Sequence, residues 1–516
     1  MNERSRLLSN TLFSSVSIYV EYFLGMLTSI LIARYMGPSD FGVYGLIMWL
    51  SSLGVALTNA GITSGMIKFV AELRGSGRDD LLSPLVRRLQ RLQKAMMAGV
   101  LVISAVVFLV AGKRLVPDIN LVGFALLMLS IAMRAPYMLN VAIAKGFENF
   151  RVTAAIAAIV APLNLALVAA AIFFDASIEG FVLVYALVSF LFFAVSAVQI
   201  RGQIPPLSLN TRLPADLVVR INRYVGYAVV KMFIAFFSAS GSEVLFLNLW
   251  GTSAQAGQFR AAYQLATSAS LLVPGVFAAT LLPFMARSLG ESAASARRRF
   301  ELSTVHLTIL ATPVAVFGIA FASIIIEALY GSAYSPAAPA LAWNLAACSL
   351  TIITAGTASS LLISTDQQGS VLALTVINGT IKVTLGIYLI IHFGLLGAVA
   401  SFAIDAVINA VTQFWLALRI NKAKLPWRQL ISIVAVAAVA AVPAVLIARW
   451  LKPWPALLIC GALFSALYAL GTLVVGCWDR QSVEHMREIV QRRGGPRLAP
   501  LERLLAWAGT RARTLG

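Results

Sequence analysis

Hydrophobic residues along this chain gather into fourteen runs of about 18 to 24 residues, with short polar stretches between them. An α-helix rises about 1.5 Å per residue, so about 20 apolar residues match a hydrocarbon core about 30 Å thick. The pattern predicts an all-α, polytopic membrane protein with about 14 transmembrane helices. The predicted spans are 12–32, 43–66, 95–112, 121–139, 154–174, 181–200, 228–250, 261–283, 306–329, 340–363, 371–391, 398–418, 430–450 and 456–477. The polar connections are too short for a separate catalytic domain, so the chemistry belongs within the membrane or at its faces.

The even number of spans puts both termini on one side, and the long connection 201–227, with Pro205, Pro206 and Pro214, reads as a linker between two lobes. An internal repeat supports that division. Gly37-Pro-Ser-Asp-Phe-Gly42-Val-Tyr44 resembles Gly251-Thr-Ser-Ala-Gln-Ala-Gly257-Gln-Phe259, and Gly61 corresponds to Gly275, both at an offset of 214 residues. Ser177-Ile-Glu-Gly180-Phe matches Gly394-Leu-Leu-Gly397-Ala at an offset of 217. Six spans separate the copies, which gives them the same orientation. The expected architecture is two parallel six-helix lobes around a central cavity, a transporter plan, with two additional C-terminal helices. The corresponding boundaries are 1–204 for the first lobe, 205–227 for a cytoplasmic linker, 228–420 for the second lobe, 421–478 for the two extra helices and 479–516 for a basic cytoplasmic tail.

Composition agrees: the chain is 59% hydrophobic and 12% charged, against about 45–50% and about 25% in soluble proteins. Its net charge of +19 raises the question of nucleic acid, but the distribution answers it. Of 40 Lys and Arg, 31 fall in the loops assigned to the cytoplasm, among them Arg74, Arg78, Arg87, Arg88, Arg91, Lys94 and Arg297 to Arg299; only 6 fall in outer loops or at their edges. This is the positive-inside pattern, so the excess charge reports topology and no nucleic-acid partner is expected. The first span is long enough to cross and lacks a small-residue cleavage site, so it is expected to act as its own insertion signal. Two stretches read either as helices lying on the cytoplasmic leaflet or as a solvated, topology-setting loop and a partly disordered tail: Leu81 to Lys94, with Leu81, Leu82, Leu85, Leu89 and Leu92 on one face and cations on the other, and Leu498 to Trp507 in the tail.

Catalytic patterns are missing from the sequence. His306, His392 and His485 are scattered, Cys348, Cys460 and Cys477 lie in or at the end of apolar runs, and no nucleophile elbow, phosphate-cradling glycine loop or metal-ligand spacing occurs. No enzyme, metal or cofactor is expected. Charge at membrane depth is the remaining signal, because it is costly there. Lys382, Lys231 and Arg134 are candidate cavity cations for a phosphate-bearing substrate, and Glu21, Glu243 and Asp405 are candidates for charge balance or ion coupling. Lys231 and Glu243 are about 18 Å apart along a helix and cannot pair with each other. Asn59, Asn164, Gln264 and Asn378 are candidates for polar cavity lining, although bonding a neighbouring helix is the commoner use of such residues. A cation-lined cavity suits a phosphate or pyrophosphate whose lipid carrier stays in the bilayer.

At these residues the chain resembles the polysaccharide transporter family, the O-antigen and exopolysaccharide flippases of the multidrug/oligosaccharidyl-lipid/polysaccharide exporter superfamily. The resemblance is carried by Ser9-Asn-Thr, Ala33-Arg-Tyr-Met-Gly37-Pro-Ser-Asp-Phe-Gly42-Val-Tyr44, Lys68-Phe-Val-Ala-Glu72, Gly146-Phe-Glu-Asn-Phe-Arg151 and Pro283-Phe-Met-Ala-Arg287, across about residues 5 to 425. It implies movement of undecaprenyl-pyrophosphate-linked oligosaccharide from the inner to the outer leaflet of a bacterial cytoplasmic membrane. Membrane lipids, a polysaccharide polymerase and chain-length proteins would be its partners. Glu21 in the first span stands where a peptidoglycan-precursor flippase would present arginines, and the basic tail departs from the compact family pattern. A cation-coupled multidrug exporter on the same architecture and a non-transporting scaffold for glycan-assembly enzymes are the alternative readings.

Overall fold

The computed structural model describes residues 3–115, 119–204, 213–239, 241–493 and 499–511, with the side chains of Glu21 and Lys231 outside the described set. The protein is all-α. Ten helical stretches among the described residues are long and apolar enough to cross a bilayer, and two of them, Tyr22–Gly75 with 54 residues and Gly369–Asn421 with 53, have the length for two crossings each. Contacts along the chain divide it into one unit of residues 1–261 with 379–398, and another of 262–378 with 399–516.

The first unit starts with α1 (Glu3–Asn59), which is broken where Gly37 takes φ 74° just before Pro38. A positive φ is open to glycine at little cost, and proline cannot continue the preceding turn's hydrogen bonding. Then follow α2 (Ile62–Gly75), α3 (Leu82–Leu115), α4 (Leu121–Gly146), α5 (Phe150–Phe173), α6 (Ile178–Ile200), α7 (Ala215–Ala239), α8 (Glu243–Trp250) and the start of α9 (Ser253–Ser270). The sequence predicts one continuous span over 228–250, but α7 and α8 are separate helices because Gly241 adopts φ 65° between them. The π-helical turn Leu271–Gly275, which contains Pro274, lies inside the span expected at 261–283.

The core of this unit corrects the reading of Leu81–Lys94 as a surface helix on the leaflet. Leu81, Leu82, Leu85 and Leu89 are buried against Phe69, Leu73, Leu217 and Ile221, so protein and not lipid covers the leucine face. Cations are held at the surface of the same cluster: Arg88, opposite the leucines, donates to Asn222 Oδ1 at 3.0 Å, and the Lys68 ammonium of α2 lies 4.8 Å from the Tyr224 ring centre. Amphipathic spacing alone does not distinguish a leaflet from a neighbouring helix, since both offer an apolar surface.

The two copies of the internal repeat meet inside this unit through their glycines. A Cβ on Gly42 would lie 1.8 Å from the Ser253 carbonyl oxygen, and one on Gly257 would lie 1.9 Å from that of Pro38. Only hydrogen fits at either position, which lets α1 and α9 cross backbone to backbone.

The second unit contains α10 (Val276–Glu291), α11 (Ala293–Ala320), α12 (Ala322–Tyr330), α13 (Ala338–Thr354), α14 (Ser360–Ser364), most of α15 (Gln368–Asn421), α16 (Trp427–Ala448), α17 (Pro453–Val474), α18 (Arg480–Arg493) and α19 (Ala499–Arg511). Small residues of α16, Ala437, Ala440 and Ala444, pack with Cys460, Phe464 and Tyr468 of α17 on Val305 and Ile309 of α11. The Tyr468 hydroxyl donates to the Ile309 carbonyl at 2.8 Å, so its polar end is satisfied at depth. The three cysteines are free and buried.

The tail also differs from the leaflet-bound helix expected at Leu498–Trp507. α18 and α19 form a hairpin in which Val483, Leu505 and Ala508 are buried together beside Leu473 and Trp478. Asp479 fastens it. Its carboxylate accepts the Ser482 amide at 3.1 Å, capping α18, and pairs with His306 Nε2 of α11 at 3.0 Å. Burial alone would raise the Asp479 carboxyl, but hydrogen bonds from His306 and Ser482 outweigh it and hold the group well below the usual carboxylate range.

Two outcomes are expected. Gly42→Ala and Gly257→Ala should each destabilise the folded protein by about 1–3 kcal/mol or more by overpacking, read as a lower unfolding temperature in detergent with Gly25→Ala as a control, since no atom lies within 4 Å of a Cβ there. Because the Asp479 carboxyl is depressed in the folded state, its contribution is complete above about pH 4, the unfolded value, and disappears as pH falls through the lower folded value. Hydrogen-exchange protection of α18 and α19, corrected for intrinsic exchange, should therefore fall below about pH 4 in the natural protein and be low at every pH in Asp479→Asn.

Candidate functional site

In the first unit the break at Gly241 starts α8 with Glu243 in its first turn, its side chain 1% exposed. Lys382 reaches it from α15, Nζ to Oε1 at 3.2 Å, itself 2% exposed. This joins two of the residues singled out from the sequence. A charge shut away from water is tolerable only with such a partner, and the pair's attraction is strong because little solvent screens it. In this arrangement the Lys382 ammonium is held by a carboxylate and does not face open space.

The glycine crossing places another cation near Val244, the sequence neighbour of Glu243. Arg260 follows Gly257 by one turn on α9, and its Cδ comes within 2.8 Å of a Cβ built on Gly45, while Val244, the neighbour of Glu243, comes within 3.4 Å of the same point. The Arg260 guanidinium lies 5.2 Å from the Phe41 ring centre and 5.6 Å from that of Tyr44. Arg134 on α4 has the same arrangement, 4.9 Å from the Phe192 ring and 5.4 Å from the Tyr185 ring. Tyr44 is within electrostatic range of both arginines and of Tyr185, which gathers them into one cluster. Both arginines are half-buried. Stacking on the rings orients the guanidinium planes, and arginine is suited to bidentate contact with phosphate.

The other sequence candidates have different surroundings. Asn59 accepts from Gln93 at 2.6 Å, and Gln93 also donates to the Ala135 carbonyl at 2.8 Å, so Gln93 joins three helices, with Asn59 as one of its two partners. Asn378 donates to Thr412 at 3.1 Å in the second unit. Asn164 is half-buried in the first unit, and Gln264 and Asp405 are half-buried in the second. The side chains of Glu21 and Lys231 lie outside the described residues. No group of three or more His, Cys, Asp or Glu among the described residues has the geometry to hold a metal ion.

Arg260 is the residue that sequence reasoning missed. Counting it with the loop before the span at 261–283 removed it from the membrane, whereas α9 starts at Ser253 and puts Arg260 about 12 Å along the helix. The signal lay in the repeat: Gly257 marks a close approach, and the residue one turn later lies on the same face.

A family model described as polysaccharide biosynthesis protein matches residues 31–339. The chain belongs to that family. Comparison with curated proteins gives no significant match. Among solved structures, the polysaccharide biosynthesis fold is similar to a lipid II flippase, MurJ, in an inward closed conformation, with a TM-score of 0.69, 12% identity, and 90% of this chain and 98% of that one covered. It is also similar to an inward-facing multidrug resistance transporter of the MATE family in the MOP superfamily, with a TM-score of 0.61, 13% identity, and 80% and 99% covered. A MATE transporter from Vibrio cholerae in a bent form gives 0.53, 14% identity, and 81% and 96% covered. At these identities the likeness is one of fold, the fold of membrane flippases and transporters.

The buried pair makes a specific expectation. Lys382→Met or Glu243→Gln alone should destabilise the protein by about 3–5 kcal/mol, because each strands or unbalances a buried group, whereas the two together should cost markedly less. Unfolding temperatures of the three variants in one detergent form the double-mutant cycle; equal, additive losses would show that the two groups do not act as a pair.

Proposed function

We propose that this protein is a flippase for undecaprenyl-pyrophosphate-linked oligosaccharide, moving it from the inner to the outer leaflet of a bacterial cytoplasmic membrane for O-antigen or exopolysaccharide assembly. The observation that carries the reading is the presence in one unit of two half-buried guanidinium groups, Arg134 and Arg260, stacked on aromatic rings, together with the buried Lys382–Glu243 pair, in a member of the polysaccharide biosynthesis family. A diphosphate is the substrate portion that most opposes entry into hydrocarbon, and fixed cations at membrane depth offset that cost.

In the proposed cycle Arg134 and Arg260 receive the diphosphate. Glu243 occupies Lys382 until substrate arrives, and Lys382 then exchanges its carboxylate for a phosphate oxygen. That exchange makes binding favour one arrangement of the helices over another, as alternating access requires. Lys231, Glu21 and Asp405 remain proposed contributors to cation provision and ion coupling, with Asn164 and Gln264 as proposed lining. The loop charge distribution favours cytoplasmic termini.

Arg260→Gln and Arg134→Gln should each lower surface glycan at least tenfold in a strain that depends on this gene, with the protein still present in the membrane and lipid-linked oligosaccharide accumulating on the cytoplasmic side. Lysine at either position should restore part of the loss. Full export with both arginines replaced would remove the proposed diphosphate site.

A multidrug exporter is favoured by a different observation, the buried carboxylate of Glu243 in a fold similar to that of multidrug transporters. On that reading Glu243→Gln abolishes resistance to cationic drugs while surface glycan stays normal.

A further inference from the structure

An open groove of about 760 Å³ runs along the second unit between the last part of α15 and α16, with Thr304 and Thr308 of α11 and Leu350 and Ile353 of α13 among its lining. Both threonine hydroxyls are occupied, donating to Phe300 and Thr304 carbonyls of their own helix. The groove therefore offers its occupant hydrocarbon contact and no hydrogen bond. Its rim is open: Val411 is 61% exposed and Ile431 65%.

Three observations identify what fits. The first is length: the lining runs from Val407 to Leu418 on α15 and from Trp427 to Ala438 on α16, about 16 Å of helix in each case. That matches one leaflet, about half of a 30 Å hydrocarbon core. The second is the pair of tryptophans, Trp415 and Trp427, which stand toward the end of the groove where α15 finishes and α16 begins. Indole rings favour the level where acyl chains meet headgroups. The third is charge at that same end. The Arg419 guanidinium stacks 5.1 Å from the Trp415 ring centre, and Lys422, Lys424 and Arg428 are exposed over the following turn. No acidic residue occurs in 419–428; the carboxylate facing this segment, Glu301, accepts the Lys424 backbone amide at 3.3 Å.

We infer that this groove is a binding site for an anionic phospholipid of the surrounding bilayer, its acyl chain lying between α15 and α16 and its phosphate meeting Arg419 and Arg428. A chain one leaflet long fits the lining end to end, and the cluster at the tryptophan end supplies the counter-charge for the headgroup. The site is separate from the arginine cluster of the first unit and does not depend on what the protein transports. The orientation proposed above puts the cationic end in the cytoplasmic leaflet.

The test uses the full-length purified protein and native mass spectrometry, titrating phosphatidylglycerol or phosphatidylcholine of equal chain length. The natural protein should retain phosphatidylglycerol at least fivefold more strongly than phosphatidylcholine. Arg419→Gln with Arg428→Gln should abolish that preference, and Ala435→Trp, at an exposed position within the groove, should release both lipids while leaving the unfolding temperature in detergent unchanged. Equal retention of the two lipids by the natural protein would overturn the assignment. So would a dimer that Ala435→Trp dissociates, since the groove would then be covered by a second copy. A polyprenyl phosphate that displaces phosphatidylglycerol at equimolar concentration would likewise overturn it, in favour of a substrate-chain site.

Discussion

Hydrocarbon offers no hydrogen bonds, and that constraint underlies the whole structure. Backbone groups are satisfied within helices, and polar side chains at depth must find partners on neighbouring helices. Gln93 bridges Asn59 and the Ala135 carbonyl, Asn140 bonds Ser196, and Tyr468 reaches the Ile309 carbonyl. Lys382 and Glu243 extend the rule to full charges. A buried charge is costly without a partner, so the position of each constrains where the other must lie.

The helix breaks and close approaches have a functional consequence because they aim these groups. Gly241 ends α7 and brings Glu243 into the first turn of α8, and the paired glycines Gly42 and Gly257 bring α1 and α9 into backbone contact. Arg260 then lies over Phe41 and Tyr44, beside the residue next to Glu243. A bulkier residue at the crossing would separate the helices and move that guanidinium off its rings. The two similar segments around Gly42 and Gly257 thus build one wall of the arginine cluster.

Much of the architecture was legible in the chain. Span lengths and the low content of charge gave an all-helical membrane protein, and the family emerged from short ordered motifs around Gly37, Gly42 and Gly146. The candidate site was legible in part. Lys382, Glu243 and Arg134 stood out because charge in an apolar run is unusual, but Lys382 and Glu243 are 139 positions apart in the numbering and nothing local indicated that they would meet. Arg260 was hidden by a span boundary drawn a few residues late. The leucines at 81, 82, 85 and 89 were recognised as one apolar face, yet their cover is Leu217 and Ile221 of α7 and not lipid.

Hydropathy by itself determined the solvent, the helical class and the approximate positions of the crossings, because transfer into a bilayer depends on the summed character of about 20 consecutive residues. Only the tertiary structure decided which charged groups are paired, which are stacked on aromatic rings, and which amphipathic faces are covered by protein. Those outcomes depend on distances between residues remote in sequence, and such distances are determined by packing, helix breaks and glycine crossings that act on the chain as a whole.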